Sequence, residues 1–123
     1  MPTSTFAVTG VDMSGYMCKD GARALSFYSD VLGFEPARVY PENRGGEFDL
    51  PDGTTFGLWG AGNSRFPFQP SNGVLFGVSD LDAARDALKK QGLEFVDLEL
   101  PNCTMLMFTD TEGNTATLHK RKS

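Results

Sequence analysis

The feature that most constrains the fold of this chain is a weak internal repeat at an offset of 60 residues. Residues 50–59 align with residues 110–119, where a glycine, a threonine and a leucine coincide and Asp52 lies over Glu112. Each copy is smaller than an ordinary domain, and the whole chain has 123 residues. The repeat therefore predicts two similar modules that share one domain.

In the first half, a strand is followed by a helix and three short strands. Residues 7–18 are the predicted strand, and Asp20 is the predicted N-cap of a helix with apolar residues at helical spacing. Gly33 ends this helix, because glycine adopts the left-handed conformation most easily. Asp52 and Gly53 predict a tight turn between the last two strands. The three strands are predicted at about 37–41, 45–50 and 54–59.

The second half repeats this order of elements. Residues 73–79 are a predicted strand, Asp80 begins a helix, and Gly92 ends it. The connecting segment, residues 60–72, is rich in Gly, Pro, Ser and Asn and predicts a loop. The remaining strands are predicted near 94–100, 103–109 and 114–119.

The two halves together predict an α+β fold of two βαβββ modules, at about residues 7–60 and 73–120, in a single domain of residues 1–123. A domain of this size buries more than half of the surface of its unfolded chain, so it needs no disulfide or metal for stability. The two cysteines, Cys18 and Cys103, match no zinc-binding motif.

The composition excludes several classes of partner. A net charge of −5 and a pI of about 4.7 argue against nucleic-acid binding, which requires a basic surface. The apolar runs are too short to span a membrane, and the N-terminus has neither the basic nor the apolar part of a secretory signal. We therefore expect a cytoplasmic protein.

Three motifs carry a resemblance to a known family. Residues 20–34 (DGARALSFYSDVLGF) open with Asp, contain Phe-Tyr and end in Leu-Gly-Phe. With residues 78–84 (VSDLDAA) and the turn at 110–114 (DTEGN), this segment resembles the vicinal oxygen chelate superfamily, which includes glyoxalases, bleomycin resistance proteins and extradiol dioxygenases. The resemblance implies that the modules form a concave, incomplete barrel around a cavity, and that two chains pair as a homodimer.

The resemblance also implies four positions that usually provide metal ligands. They correspond here to Met13 and its partner Gly73, and to Gly57 and its partner Thr117. A thioether, two glycines and a hydroxyl do not make a site for Zn, Fe or Ni, which prefer imidazole or carboxylate ligands. No metal and no cofactor are therefore predicted.

An atypical metal site remains as an alternative. It would combine His119, the chain's one histidine, with Glu47, Asp49 and Asp12, if necessary across a dimer. Other interpretations of His119 are a half-exposed residue at the end of a strand and a polar contact in the cavity.

The alternation of side chains along the strands predicts which residues face the cavity. Trp59 would offer a flat surface for an aromatic or cationic ligand, methionines would adapt to an irregular one, and glycines would leave room. Phe66 and Phe68 would cover the mouth, although these two rings could instead pack against the body of the protein or a dimer partner. The alternative for the methionines and Trp59 is packing in the core. The predicted ligand-binding residues are Met13, Met17, Glu47, Asp49, Thr55, Trp59, Phe66, Phe68, Met105, Met107, Thr117 and His119.

These observations favour a metal-free protein that binds a small molecule and sequesters an aromatic or cationic compound, by analogy with the bleomycin-resistance branch. The alternative is a metal-dependent lyase, isomerase or dioxygenase of the same superfamily with rearranged ligands. A third hypothesis is an enzyme without metal, in which repulsion between Glu47 and Asp49 raises one pKa and creates a general base. No catalytic residue is otherwise predicted.

Overall fold

The computed structural model describes residues 6–7, 9–65 and 67–122. Within them the chain forms two helices and eight strands, in the order predicted from the repeat. The elements are β1 (Ser14–Met17), α1 (Gly21–Leu32), β2 (Pro36–Val39), β3 (Gly46–Asp49), β4 (Thr55–Trp59), β5 (Leu75–Gly77), α2 (Leu81–Lys90), β6 (Val96–Glu99), β7 (Cys103–Thr109) and β8 (Thr115–Arg121). A short 3₁₀ helix at Pro41–Asn43 was not predicted.

The strands form two four-stranded sheets, in the orders β1-β4-β3-β2 and β5-β8-β7-β6. In each sheet the first strand of the module lies parallel to the last, as between β1 and β4, and the other pairs are antiparallel. Both sheets are open, and in each module one helix follows the first strand. This order confirms the predicted α+β fold of two βαβββ modules.

The first strand of each module is shorter than predicted. Residues 7–18 were expected to form a strand, but only Ser14–Met17 do so, and residues 73–79 contain only Leu75–Gly77. Both strands lie at an edge of a sheet and pair with a single neighbour. The pairing extends by one residue at the C-terminal end of each strand, where the amides of Cys18 and Val78 donate to the carbonyls of Trp59 and His119 at 2.9 and 3.1 Å. Apolar alternation alone does not extend a strand beyond its backbone partners.

The repeat is visible in individual hydrogen bonds. The amide of Leu50 donates to the carbonyl of Thr54 at 2.9 Å, and the amide of Asp110 donates to the carbonyl of Asn114 at 2.9 Å. Both helices begin as predicted, because a carboxylate oxygen of Asp20 or Asp80 accepts an amide hydrogen bond in the first turn. The offset of 60 residues is thus a structural equivalence.

One core holds the two modules together. The rings of Phe27 on α1 and Phe108 on β7 lie 6.1 Å apart, so the helix of the first module packs against the second sheet. Tyr28, on the same helix, lies 5.0 Å from Phe56 of the first sheet. The helix-packing faces of both sheets therefore point into a shared core, and their opposite faces point outwards.

Buried polar groups connect the turn at residues 110–114 to α1. Asp110 accepts a hydrogen bond of 2.8 Å from the hydroxyl of Tyr28, and its other oxygen accepts the amides of Glu112 and Asn114 at 2.8 and 2.9 Å. Burial raises the pKa of Tyr28 well above its ordinary value, and the adjacent Asp110 raises it further. Tyr28 therefore remains a neutral hydrogen-bond donor.

Glu112 makes the second connection. One of its oxygens accepts the amides of Lys19 and Asp20, at 2.6 and 2.8 Å, immediately before α1. The other oxygen makes no hydrogen bond within the described residues, and the guanidinium of Arg23 lies 3.8 Å from it. A carboxylate at a helix N-terminus is favourable, because free amides and the helix dipole both attract it.

We predict that Glu112→Ala destabilises the protein by about 2–3 kcal/mol, because it leaves two amides without their charged acceptor in a buried site. Glu112→Gln keeps an oxygen at the same position and should lose less. Urea denaturation measures both variants, with the exposed Glu94→Ala as control. A loss for Glu112→Ala no greater than that of the control would contradict the role assigned to this side chain.

Candidate ligand-binding faces

The outer face of the first sheet, here called face A, collects most of the predicted residues of the first module. Residues paired across neighbouring strands point to the same side of a sheet. The register pairs Glu47 with Gly57 and Asp49 with Thr55. The residues that share face A are Gly15, Met17, Glu47, Asp49, Thr55, Gly57 and Trp59.

The outer face of the second sheet, face B, collects the predicted residues of the second module. Met105 pairs with His119, and Met107 with Thr117. Two apolar residues of β6 that the sequence analysis did not single out, Val96 and Leu98, pair with the same methionines. Their alternation within a predicted strand was the available signal. Face B consists of Leu75, Gly77, Val96, Leu98, Met105, Met107, Thr117 and His119.

Two glycines of face A are covered by larger side chains. A Cβ atom on Gly57 would lie 2.6 Å from Cε and 3.0 Å from Sδ of Met13. A Cβ atom on Gly15 would lie 2.8 Å from the indole of Trp59, and 1.8 Å from the carbonyl oxygen of Gly57. The space over these glycines, which was expected to be free for a ligand, is therefore occupied by Met13 and Trp59.

A charged cluster also lies on face A, around Glu47 and Asp49. The guanidinium of Arg38 donates two hydrogen bonds to Asp49, at 2.6 and 3.2 Å, and a third to Glu47. The hydroxyl of Tyr40 donates to the other oxygen of Glu47, and Thr55 donates to Asp49 at 3.3 Å. Arg38 and Tyr40 were not among the predicted residues. A bulge in β2 shifts the pairing between Pro36 and Arg38, so strand alternation does not show which face these side chains share.

The hypothesis of a raised carboxylate pKa at Glu47 or Asp49 is wrong. Hydrogen bonds from Tyr40 and Arg38 hold the pKa of Glu47 below its ordinary range, and those from Arg38 do the same for Asp49. Burial and the bond to Glu47 raise the pKa of Tyr40 to about 12. With a guanidinium bound to both carboxylates, neither has the proton affinity of a general base near neutral pH.

The four positions equivalent to the superfamily's usual metal ligands do not fit a metal. The thioether of Met13 packs over Gly57, Gly73 has no side chain, and Thr117 is buried with only a hydroxyl to offer. Within the described part of the chain, no three or more His, Cys, Asp and Glu side chains lie close enough to hold a metal ion. His119 and Glu47 lie in different sheets, so one chain does not assemble the atypical site.

The predicted cover of the cavity falls in the loop after β4. Phe66 lies outside the described residues. Phe68 is half-buried, and the ammonium of Lys19 lies 4.9 Å from the centre of its ring, which is a favourable cation–π distance. Phe68 also lines a small pocket of about 370 Å³ beside Cys18 and Gly60.

The family model of the Glyoxalase/Bleomycin resistance protein/Dioxygenase superfamily matches residues 10–118. The chain belongs to this superfamily. No curated protein matches it significantly in sequence.

Solved structures show the same fold at low identity. TnmS3, an antibiotic binding protein from Streptomyces sp. CB03234, is 22% identical, with a TM-score of 0.77 over 95% of this chain and 99% of that chain. Lactoylglutathione lyase from Agrobacterium tumefaciens is 16% identical, with a TM-score of 0.74 over 91% and 93%. A glyoxalase/bleomycin resistance protein from the same Streptomyces strain is 22% identical, with a TM-score of 0.70 over 88% and 97%.

The two glycines of face A should respond differently to substitution. Gly57→Ala requires only that the flexible end of Met13 moves, at a cost of about 1 kcal/mol. Gly15→Ala drives a Cβ atom into a backbone carbonyl of the paired strand, so we expect a loss of about 4 kcal/mol. Thermal and urea unfolding would measure both, and equal losses would contradict this account of the close approach between β1 and β4.

The charged cluster predicts a specific dependence of stability on pH. Because the folded pKa of Glu47 is lowered, its contribution is complete above the unfolded value of about 4.3 and is lost as pH falls through the folded pKa. The Tm difference between wild type and Glu47→Gln should therefore be largest above about pH 5 and shrink in acid. Glu94→Gln is the control, and a difference that is constant from pH 7 to pH 3 would argue against the cluster.

Proposed function

We propose that this protein binds a small molecule on faces A and B without a metal ion. The observation that carries the proposal is the packing of Met13 over Gly57. These two residues occupy two of the superfamily's four metal-ligand positions, and they offer only a thioether and a glycine. Thr117 and Gly73 offer no better donors. The chemistry left on these faces is that of recognition by surface contact.

The side chains favour an aromatic ligand with a positive charge or hydrogen-bond donors. Face A carries the indole of Trp59 and a charged cluster in which Glu47 and Asp49 outnumber the one guanidinium of Arg38. On face B, Met105 and Met107 provide polarisable, adaptable contacts. A ligand with one ring and one cationic group could use both kinds of surface.

A second copy of the chain is the proposed partner. Leu75, Val96 and Leu98 of face B expose 46%, 60% and 38% of their surface in the single chain, although all are large apolar side chains. Val96 and Leu98 pair with Met107 and Met105, and an exposed apolar surface of this kind marks an interaction site. A homodimer that places face A of one copy opposite face B of the other would cover these residues and enclose a cavity.

The names of the relatives represent both possibilities, binding and catalysis. TnmS3 is described as an antibiotic binding protein, and the Agrobacterium tumefaciens structure as a lactoylglutathione lyase. At 22% and 16% identity they share the fold with this chain and decide nothing further. The side chains at the four metal-ligand positions favour binding over metal-dependent catalysis. The biological role that we propose is sequestration of an antibiotic-like compound.

Elemental analysis tests the absence of a metal. We expect purified protein, dialysed without chelator, to contain far less than one equivalent of Zn, Ni, Mn or Fe per chain. A tightly held stoichiometric metal would contradict the proposal and favour a lyase, isomerase or dioxygenase with rearranged ligands.

Native mass spectrometry of the same sample should show a mass of two chains, and a monomer at micromolar concentration would contradict the homodimer.

Substitution of Trp59, the chain's one tryptophan, tests the binding face. We expect 9-aminoacridine, an aromatic cation, to bind in isothermal titration calorimetry, and Trp59→Ala to weaken it about tenfold, or about 1.4 kcal/mol. Trp59→Phe keeps a ring and should bind at close to wild-type strength, as should the surface variant Lys90→Ala. Unchanged affinity in Trp59→Ala would remove face A from the binding site.

A further inference from the structure

A second cavity lies on the core side of the sheets, away from faces A and B. Its volume is about 720 Å³, within the range of sites for drug-sized molecules. It opens between the C-terminal end of α1, the helix α2, the strand β5 and the turn at residues 50–54. It shares only Thr55, Leu75 and Gly77 with the residues that define faces A and B, so it is a separate cleft.

The internal repeat explains why this cleft exists. The cleft is the counterpart, at the offset of 60 residues, of the closed contact between α1 and the second sheet. There Phe27 packs against Phe108, but the equivalent of Phe27 on α2 is Ala87, which lines the cleft and is exposed. The missing phenyl ring leaves a space between α2 and the first sheet, whereas Phe27 fills the equivalent space between α1 and the second sheet.

The polar contacts differ between the modules in the same way. Tyr28 donates to Asp110 in the closed contact, whereas their equivalents, Leu88 and Leu50, are both apolar and both line the cleft. An apolar pair replaces a buried hydrogen bond. The lining of the cleft is therefore apolar where the closed contact has a buried hydrogen bond.

The connection made by Glu112 is also absent from the first module. Its equivalent, Asp52, is one methylene shorter, and its oxygen accepts the amide and hydroxyl of Thr54 at 3.1 and 2.6 Å, within its own turn. Nothing in the described structure joins Asp52 to the amides of Ser79 and Asp80, the positions equivalent to those that Glu112 binds. The turn at 50–54 and α2 therefore lack this connection, and the cleft lies between them.

The floor of the cleft is aromatic and its mouth carries an unpaired anion. The rings of Phe34, Phe56 and Phe76 lie 4.9 to 6.3 Å apart, and all three line the space. Asp52 stands at the mouth, fully exposed, and forms no ion pair within the described residues. Hydrogen bonds from Thr54 hold the pKa of Asp52 below its ordinary range, so the carboxylate is ionised at neutral pH.

We propose that this cleft is a binding site for a ring-containing apolar molecule whose cationic group pairs with Asp52. The ring would lie against the aromatic floor, where burial of apolar surface is the main source of affinity. The charge would remain at the mouth, where the net charge of −5 on the chain also favours a cation. This site does not depend on the function proposed for faces A and B.

Matched probes and variants test the proposal by isothermal titration calorimetry. The probes are 1-naphthylmethylammonium and its neutral counterpart 1-naphthylmethanol. We expect Ala87→Phe to weaken both at least tenfold, because its ring fills the position that Phe27 occupies in the other module. Ala83→Phe, on the same helix but outside the cleft, should bind as the wild type does.

Asp52→Asn tests the charge alone, because an asparagine oxygen can still accept the bonds from Thr54. We expect the wild type to prefer the ammonium probe over the alcohol at least threefold, and the variant to show no preference. Trp59 does not line the cleft, so the preference of the wild type for the ammonium probe should persist in Trp59→Ala, and failure of the face A proposal and failure of this one give different results. An equal preference in wild type and Asp52→Asn would exclude Asp52 from recognition.

Methyl NMR of the wild-type protein locates the probe even if Ala87→Phe fails to fold. Binding in the cleft should shift the methyl resonances of Leu32, Val78 and Leu88 and leave those of Leu98 on face B in place. Shifts confined to Leu98 would overturn the proposal. So would an Ala87→Phe variant that binds both probes normally but changes the oligomeric mass, because the cleft would then be a contact between copies of the chain.

Discussion

The fold depends on a buried carboxylate that crosses from one module to the other. Glu112, in the last turn of the second module, accepts two amides at the start of α1, and Asp110 in the same turn holds the hydroxyl of Tyr28. Neither module could satisfy these groups alone, because donors and acceptors belong to different halves of the chain. The connection fixes α1 against the second sheet and turns the outer faces of both sheets away from the core.

The repeat makes the asymmetry of the molecule interpretable. Several residues of the closed contact have smaller or apolar equivalents in the open one, such as Asp52 for Glu112, Leu50 for Asp110 and Ala87 for Phe27. The backbone hydrogen bonds of the two turns remain equivalent, so the difference lies in the side chains. One interface between the modules is therefore closed and stabilising, and the other is an open cleft with space for a ligand.

The candidate site could be predicted only in part. Alternation along the strands was sufficient to group Glu47 with Asp49 and Met105 with Met107, because strand periodicity fixes which side chains share a face. It could not show that Arg38 bridges the two carboxylates, since a bulge in β2 sets that register. Hydrogen bonds from Tyr40 and Arg38 lower the pKa of Glu47, so the expected sign of its shift was wrong.

The sequence by itself determined the order of the elements, the helix caps at Asp20 and Asp80, the two turns, and the absence of imidazole and carboxylate from the four usual ligand positions. These are local properties, or comparisons between aligned positions. The tertiary structure decided that Met13 and Trp59 fill the space over two glycines and that the cleft beside Ala87 stays open. Such features depend on contacts between residues far apart in the chain, where side-chain volume and reach, rather than periodicity, set the result.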